Sequence, residues 1–283
     1  MSPRRLLAVF AHPDDETFGA GGTLALYAHR GVEVHLLCAT RGELGEAPPD
    51  RKGFSSIAEM REAELRCAAG VLGLAGVHLL GYRDSGMPGS PENNHPRAFA
   101  AAPLGETARA VAVHIRRLRP QVVVTFDPIG GYRHPDHIAA HRAAVEAFRL
   151  AGDPAEKLQN EPPYSPQKLY FHTFPRGFFR WAARLLPLLG QDPRHFGKNG
   201  DIDVAGLAAV DFPVHAKINV RSVLEVKQKA AACHSSQGGG RMGGIPVRLT
   251  RLVGGSETYM RAVPQPPPER LETDLFAGVD EGK

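Results

Sequence analysis

The apolar positions of this chain fall into short continuous runs, separated by longer stretches in which they recur at helical spacing. Residues 6–10 read as a buried strand. Residues 19–30, with Leu24, Leu26 and Tyr27 among alanines, predict a helix that stops at Gly31. A β-branched, apolar second strand follows over 32–39. Residues 56–72 place Ile57, Met60, Leu65, Ala68, Val71 and Leu72 on one face of a strong amphipathic helix. Residues 77–82 give a third strand. The next helix, 104–118, ends in Arg116, Arg117 and Arg119, cations suited to a helix C-terminus, and Pro120 stops it. Three consecutive valines within 121–126 predict a fully buried strand, and 138–150 the helix after it.

Strands alternating with helices imply βαβ units, and strands apolar on both faces imply a sheet covered on both sides. The expected fold class is α/β, a mostly parallel sheet with helices on both faces. From Gly152 onward the rhythm changes. Residues 151–205 are rich in Pro, Gly and aromatics, with a strand expected at 168–174 and a helix at 178–189. They read as a lid or insertion over the active-site edge. One or two strands are expected within 209–220 and a helix at 223–232. Residues 1–263 are taken as a single domain. Residues 264–283, with their Pro-Gln-Pro-Pro-Pro run, are taken as an extended or disordered tail.

Composition narrows the function classes. The 283 residues are 42% apolar and 23% charged, an ordinary globular balance, and no apolar run approaches the ~20 residues of a membrane span. The net charge of +4 is spread along the chain without an aromatic–basic motif, so nucleic acid is not an expected partner. Cys38, Cys67 and Cys233 include no C-x-x-C pair and do not make a disulfide framework. Cys38 and Cys67 are expected to be buried packing residues, and the chain to be cytoplasmic, with no membrane partner. Residues 6–11 are too short for a signal peptide and are read as the first strand.

Two motifs carry chemistry. Ala11-His12-Pro13-Asp14-Asp15-Glu16 follows the first strand, and Gly130-Gly131-Tyr132-Arg133-His134-Pro135-Asp136-His137 follows the strand at 121–126. In an open parallel sheet, ligands bind beyond the carboxyl ends of the strands. Gly19, Gly21 and Gly22 faintly suggest a dinucleotide loop, but a pyrophosphate site needs a positive approach. Three carboxylates stand there instead, and each like-charge pair at ~4 Å would cost about 4 kcal/mol at an effective dielectric of ~20. A divalent cation reverses that penalty. His12, Asp15 and His137 give three protein ligands with an open position, the pattern of a catalytic zinc. Taken singly, each motif would be read as a capped or solvated loop; their pairing after two buried strands favours the metal.

These residues resemble the PIG-L/LmbE-like deacetylase family. Gly81-Tyr82-Arg83-Asp84-Ser85-Gly86-Met87 is similar to a segment of its bacterial mycothiol and bacillithiol branch, and Lys227 to Gln237 to a later family segment. The resemblance spans roughly residues 5–240 and implies a Rossmann-like fold and action on N-acetylglucosamine derivatives or related amides. It implies that His12, Asp15 and His137 bind Zn²⁺ and that Asp14 is the general base. His134 would stabilise the oxyanion as a cation or protonate the leaving amine, oriented by Asp136. Tyr132 would help polarise the acetyl carbonyl, and Arg61 and Asp84 would contact sugar or aglycone. The chemistry fits: zinc can bring a bound water to a pKa of ~7, and a second carboxylate can take its proton.

The expected function is therefore a zinc-dependent hydrolase acting on a small N-acetyl sugar conjugate. Alternatives are an amidase cleaving a thiol S-conjugate, a mononuclear Fe²⁺ oxygenase, or a non-catalytic sugar-binding module. A homo-oligomer is left open. Glu16 is read as structural and His234 is given no role. His95, His141, His172, His195 and His215 are expected to stand outside the chemistry.

Overall fold

The computed structural model describes residues 3–46, 53–173, 176–195, 203–239, 255–265 and 271–280. The elements are, in chain order, β1 (Arg5–Phe10), α1 (Asp15–Phe18), α2 (Gly21–His29), β2 (Glu33–Thr40), α3 (Ile57–Leu72), β3 (Gly76–Tyr82), α4 (Leu104–Leu118), β4 (Val122–Phe126), α5 (Gly130–Arg133), α6 (Pro135–Gly152), β5 (Lys168–Thr173), α7 (Arg176–Leu185), α8 (Val204–Ala208), β6 (Ala216–Asn219), α9 (Leu224–Cys233) and β7 (Ser256–Val263). Helix α3 starts where its sequence says it should. Ser56 is extended and its side chain accepts the Glu59 amide, and Gly73 ends the helix in the left-handed conformation.

The seven strands lie in the order β3-β2-β1-β4-β5-β7-β6. Strands β1 to β5 are parallel, and β7 runs antiparallel to both β5 and β6. The α/β class and the mostly parallel sheet are as the sequence implied. One face buries Leu6, Ala8, Phe10, Val34, Leu36, Val122 and Val124 against α2, α3 and α9. The other buries Leu7, Val9, Leu37, Val123, Leu169 and Phe171 against α4 and α6. From β1 the chain builds outward through β2 to β3; it then returns to β4 and builds the other way. The strand order thus reverses between β1 and β4, and their carboxyl ends open a crevice at that switch point.

Several expectations need correction. The strand at 256–263 was not foreseen. Its buried positions alternate, but Glu257 and Arg261 occupy two of them, so it lacks an apolar stripe. Residues 209–220 hold one strand, β6. The helix expected at 178–189 is α7 followed by a 3-10 turn at Leu186–Leu189. The tail is not free over 271–280. Leu275 and Phe276 are 0% and 3% exposed in the core beside Tyr27, and Tyr27 donates to Asp274 and accepts from the Leu275 amide. The Pro-rich reading led astray because two apolar residues after the prolines decide where the segment goes. Residues 266–270 of that run lie outside the described residues.

The cysteines also differ. Cys38 is buried, as expected, but Cys67 is exposed and disulfide-bonded to Cys233, joining α3 to the end of α9. The two residues are 166 positions apart, and only packing of the two helices reveals the pair. Among the described residues, no helix is long and apolar enough to cross a membrane.

Leu275→Ala should lower unfolding free energy by about 2–5 kcal/mol, the usual cost of emptying a fully buried leucine site. Urea denaturation checks it; an unchanged midpoint would mean that 271–280 does not dock.

Candidate metal centre

Both motif loops leave their strands at the switch point. After β1, Pro13 cannot continue a ladder, and Asp14 turns the chain with φ 123°, a conformation that costs a non-glycine residue about 1–3 kcal/mol. Glu16 compensates by accepting the Asp14 amide at 2.9 Å. After β4, Asp127 accepts the Ile129 and Gly131 amides and shapes a turn in which Gly130 and Gly131 both have positive φ. A Cβ on Gly130 would lie 2.8 Å from that of His137, so the turn can close onto α6 only as glycine. His134 caps α6, Pro135 occupies its first turn, and His137 sits one turn in with its ring stacked on Phe126 at 4.0 Å.

His12, Asp15 and His137 converge. His12 Nδ1 is 3.2 Å from His137 Nε2 and 3.5 Å from Asp15 Oδ2, and His137 Nε2 is 3.2 Å from Asp15 Oδ1. Tetrahedral ligands at the usual bond lengths of 2.0–2.1 Å stand about 3.3–3.4 Å apart. The rings are also set in the required tautomers. His12 Nε2 pairs with Asp136 Oδ2 at 3.1 Å, and His137 Nδ1 with the Gly130 carbonyl at 3.2 Å. Each outer nitrogen carries the proton, which leaves the facing nitrogen a lone pair. The donor set therefore fits a divalent cation.

Charge tells the same story. Burial opposes ionisation of His12, yet its hydrogen bonds to Asp136, Asp15 and Asp84 raise it well above the usual imidazole range. A proton on His12 thus competes with a metal. Burial would raise Asp15, but the His137 and His12 imidazoles outweigh it and hold that carboxyl well below the ordinary range. Burial pushes Asp14 up to about 6, against the Arg61 cation and with the repulsion of Asp15.

The sequence pattern defining PIG-L, described as GlcNAc-PI de-N-acetylase, matches residues 7–148. The chain belongs to this family. It is 40% identical over 295 residues to a 1D-myo-inositol 2-acetamido-2-deoxy-alpha-D-glucopyranoside deacetylase of Geodermatophilus obscurus, covering 99% of each chain. The same-named deacetylase 2 of Catenulispora acidiphila is 38% identical over 308 residues, covering 98% of each. A solved structure of a conserved protein from Thermus thermophilus superposes with a TM-score of 0.60 at 26% identity, over 93% of this chain and 96% of that one. The hydratase GalB of Pseudomonas putida superposes with a TM-score of 0.59 at 21% identity, over 94% and 99%. That likeness concerns the fold alone, and a fold by itself does not select a chemistry.

In this PIG-L chain the other residues singled out from sequence gather at the same crevice, with some partners that differ from those expected. His134, Tyr132, Asp14, Arg61 and Asp84 line one cavity of about 250 Å³ together with His12, and Leu44, Glu46, Met87 and Gln237, given no role from sequence, complete its wall. A larger cavity of about 750 Å³, lined by Val145, Phe148 and Leu169 among others, lies away from both motif loops. Asp136 was expected to orient His134. Its carboxylate instead takes His12 Nε2, the Ser85 amide at 2.9 Å and the Ser85 hydroxyl. It is the Asp136 backbone amide that reaches His134 Nδ1, at 3.2 Å. The reason is helical geometry: a residue two positions into a helix presents its amide, not its side chain, to the cap.

His134 was expected either as a cation on the oxyanion or as the acid for the leaving amine. Burial and the neighbouring His12 and His137 hold it well below the usual imidazole range, so it is neutral. With Nδ1 accepting, the proton is on Nε2. His12, His134 and His137 have donor atoms within 4.8 Å of one another, as do His12, Asp84 and Asp136. Arg61 is 4% exposed, not a surface residue of α3: its guanidinium donates to Asp14 Oδ2 at 2.9 Å, the Pro13 carbonyl at 2.6 Å and the Gly42 carbonyl at 2.9 Å. Asp84 both caps its turn, through the Gly86 amide at 2.8 Å, and lies 3.6 Å from His12 Nε2.

Asp136→Asn should weaken metal affinity about 10–100-fold, as loss of a ligand's outer hydrogen-bond partner generally does. Titration of the apo protein with zinc measures it. Unchanged affinity with reduced turnover would return Asp136 to the service of His134.

Proposed function

We propose that this chain is a zinc-dependent N-deacetylase acting on an N-acetylglucosamine-type conjugate, with the inositol conjugate named for its relatives as the first substrate to try. The observation that carries the reading is the convergence of His12, Asp15 and His137 beside a second carboxylate, Asp14, in a cavity with room for one sugar ring. A divalent cation held by those three side chains would supply an acidified water and polarise the acetyl carbonyl.

The protein's own groups then divide the proton work. Asp14 takes the proton of the attacking water. Arg61 fixes its Oδ2, so Oδ1 is the free acceptor, and a carboxyl at about 6 is matched to a proton acceptor near neutral pH. His134 stands across the cavity. Its Nε2–H donates to the developing oxyanion, and the proton that Asp14 has taken from the water is the one returned to the leaving amine. Tyr132, edge-on to His134 and His137 at 5.8 and 5.0 Å, closes the same wall and presents its hydroxyl to the carbonyl. Asp84 accepts a sugar hydroxyl. Within 151–205, where a lid was expected, Lys168–Thr173 is an inner strand of the sheet, so the lid in this reading is confined to α7 and α8: Asp203 caps α8 and approaches Arg133, next to Tyr132, at 3.9 Å. The substrate is a small molecule, and cytoplasmic residence belongs to the same reading. The Cys67–Cys233 bond is its direct test, since trapped cytoplasmic protein should carry both as thiols.

Asp14→Ala should keep zinc and lose roughly 10²–10⁴-fold in turnover. His134→Ala should keep zinc affinity near wild type while turnover falls ~10²-fold or more. Loss of zinc from His134→Ala would make it a ligand and redraw the site. A free-amine assay of the zinc-loaded protein should release amine from the inositol conjugate of N-acetylglucosamine in preference to free N-acetylglucosamine, its malate conjugate and a thiol S-conjugate. Preference for the S-conjugate would make the chain an amidase.

A further inference from the structure

Two residues that the reaction above does not use lie fully buried beneath it. Glu16 and His234 are both 0% exposed, and His234 Nε2 meets Glu16 Oε1 at 2.6 Å. The other Glu16 oxygen, Oε2, accepts the amide of Asp14. Thr17 adds a hydroxyl donor to Oε1 at 2.6 Å. The Glu16 carboxylate is thus held by His234 and Thr17 on one oxygen while the other pins the backbone of Asp14, at a φ that favours glycine.

Stability alone does not account for this pair. Buried charged partners are often replaceable by well-packed apolar residues without loss. Among the described residues, His234 moreover has no hydrogen-bond partner for its buried second nitrogen, Nδ1, which is a cost an apolar residue would not carry. What an apolar residue could not do is fix the Glu16 carboxylate. His234 is itself fixed. The next two residues grip α3: the Ser235 hydroxyl and the Ser236 amide and hydroxyl all donate to Glu64, at 3.1, 2.8 and 2.6 Å. Helix α3 also carries Arg61, which holds the side chain of Asp14. The α3–α9 pair therefore reaches Asp14 by two arms, Arg61 to its carboxylate and His234 through Glu16 to its amide.

The geometry points to His234 and Glu16 as positioning residues for Asp14: they hold its backbone in the one conformation that aims its carboxylate into the cavity, and touch neither substrate nor metal. The inference rests on the reading of Asp14 as the general base. Displacement of a reacting group by about 1 Å can cost on the order of 10²-fold in rate. Partial release of Asp14, still held by Arg61, should cost about 10–100-fold in kcat by the same reasoning.

The test is a double-mutant cycle on the zinc-loaded full chain. His234→Ala should lower kcat about 10–100-fold while KM stays within about twofold and one zinc remains bound. His234→Gln, which keeps an N–H donor, should recover most of the loss. In an Asp14→Ala background His234→Ala should have almost no further effect, because the residue it positions is gone. An equal loss of kcat in both backgrounds, or no loss in the wild-type background, overturns the proposal. If Asp14→Ala is itself near wild type, the general-base reading fails instead, and that result is distinct. Should His234→Ala not fold, Glu16→Gln serves as the first mutation. Its amide cannot accept all three donors, so the same kcat loss and the same disappearance in the Asp14→Ala background are expected, and their absence is equally decisive.

Discussion

His12 is the side chain on which the site turns. It is buried and lies between two sets of carboxylates, Asp15 on its Nδ1 side and Asp136 and Asp84 on its Nε2 side. Three acids and an imidazole packed this closely, and all nearly out of contact with solvent, are tolerable only if positive charge is shared among them. A proton on His12 does this, and so does a cation facing its Nδ1. The surrounding hydrogen bonds are arranged for the second outcome, because Asp136 fixes the proton at Nε2 and Gly130 fixes that of His137 at Nδ1.

The frame for that arrangement is the switch point between β1 and β4. The two loops that meet there come from strands hydrogen-bonded to each other, with Leu6, Leu7 and Ala8 opposite Val122, Val123 and Val124. Register therefore fixes how far each loop projects. The third component comes from outside the two motifs. Ser85, after β3, ties down Asp136, and Asn93 in turn donates to the Ser85 carbonyl at 2.6 Å. Arg61 and the 234–236 turn tie down the Asp14 loop from the α3–α9 side. Each of these side chains is thus oriented by a neighbour from another segment, the usual means of holding a site to the accuracy that chemistry needs.

Much of this was legible in the chain. The stretches 6–10 and 122–124 are apolar on every residue because both faces of the sheet are covered, and local patterning reports that directly. The ends of those strands place both motifs on one edge. The candidate residues of the two motifs stood out because their reactive side chains are concentrated within a few positions. Arg61 was legible as a candidate but not in its action: on a helix wheel it resembles an exposed cation, and only the approach of the Asp14 loop shows what the guanidinium holds. His234 stood out only as part of the 227–237 segment, and nothing in the sequence paired it with Glu16, 218 residues away.

The sequence by itself determined the α/β alternation, the parallel central strands and which short stretches carry reactive groups, because these follow from local hydrophobic period and from side-chain chemistry. Tertiary structure alone decided the partners. It gave the Asp136 carboxylate to His12 and its amide to His134, and paired Cys67 with Cys233. It sent Glu257 and Arg261 into an inner strand, and drew Leu275 into the core beyond a proline-rich run. Those choices depend on which groups lose water together when distant segments pack, and the balance of desolvation against pairing exists only once the segments have met.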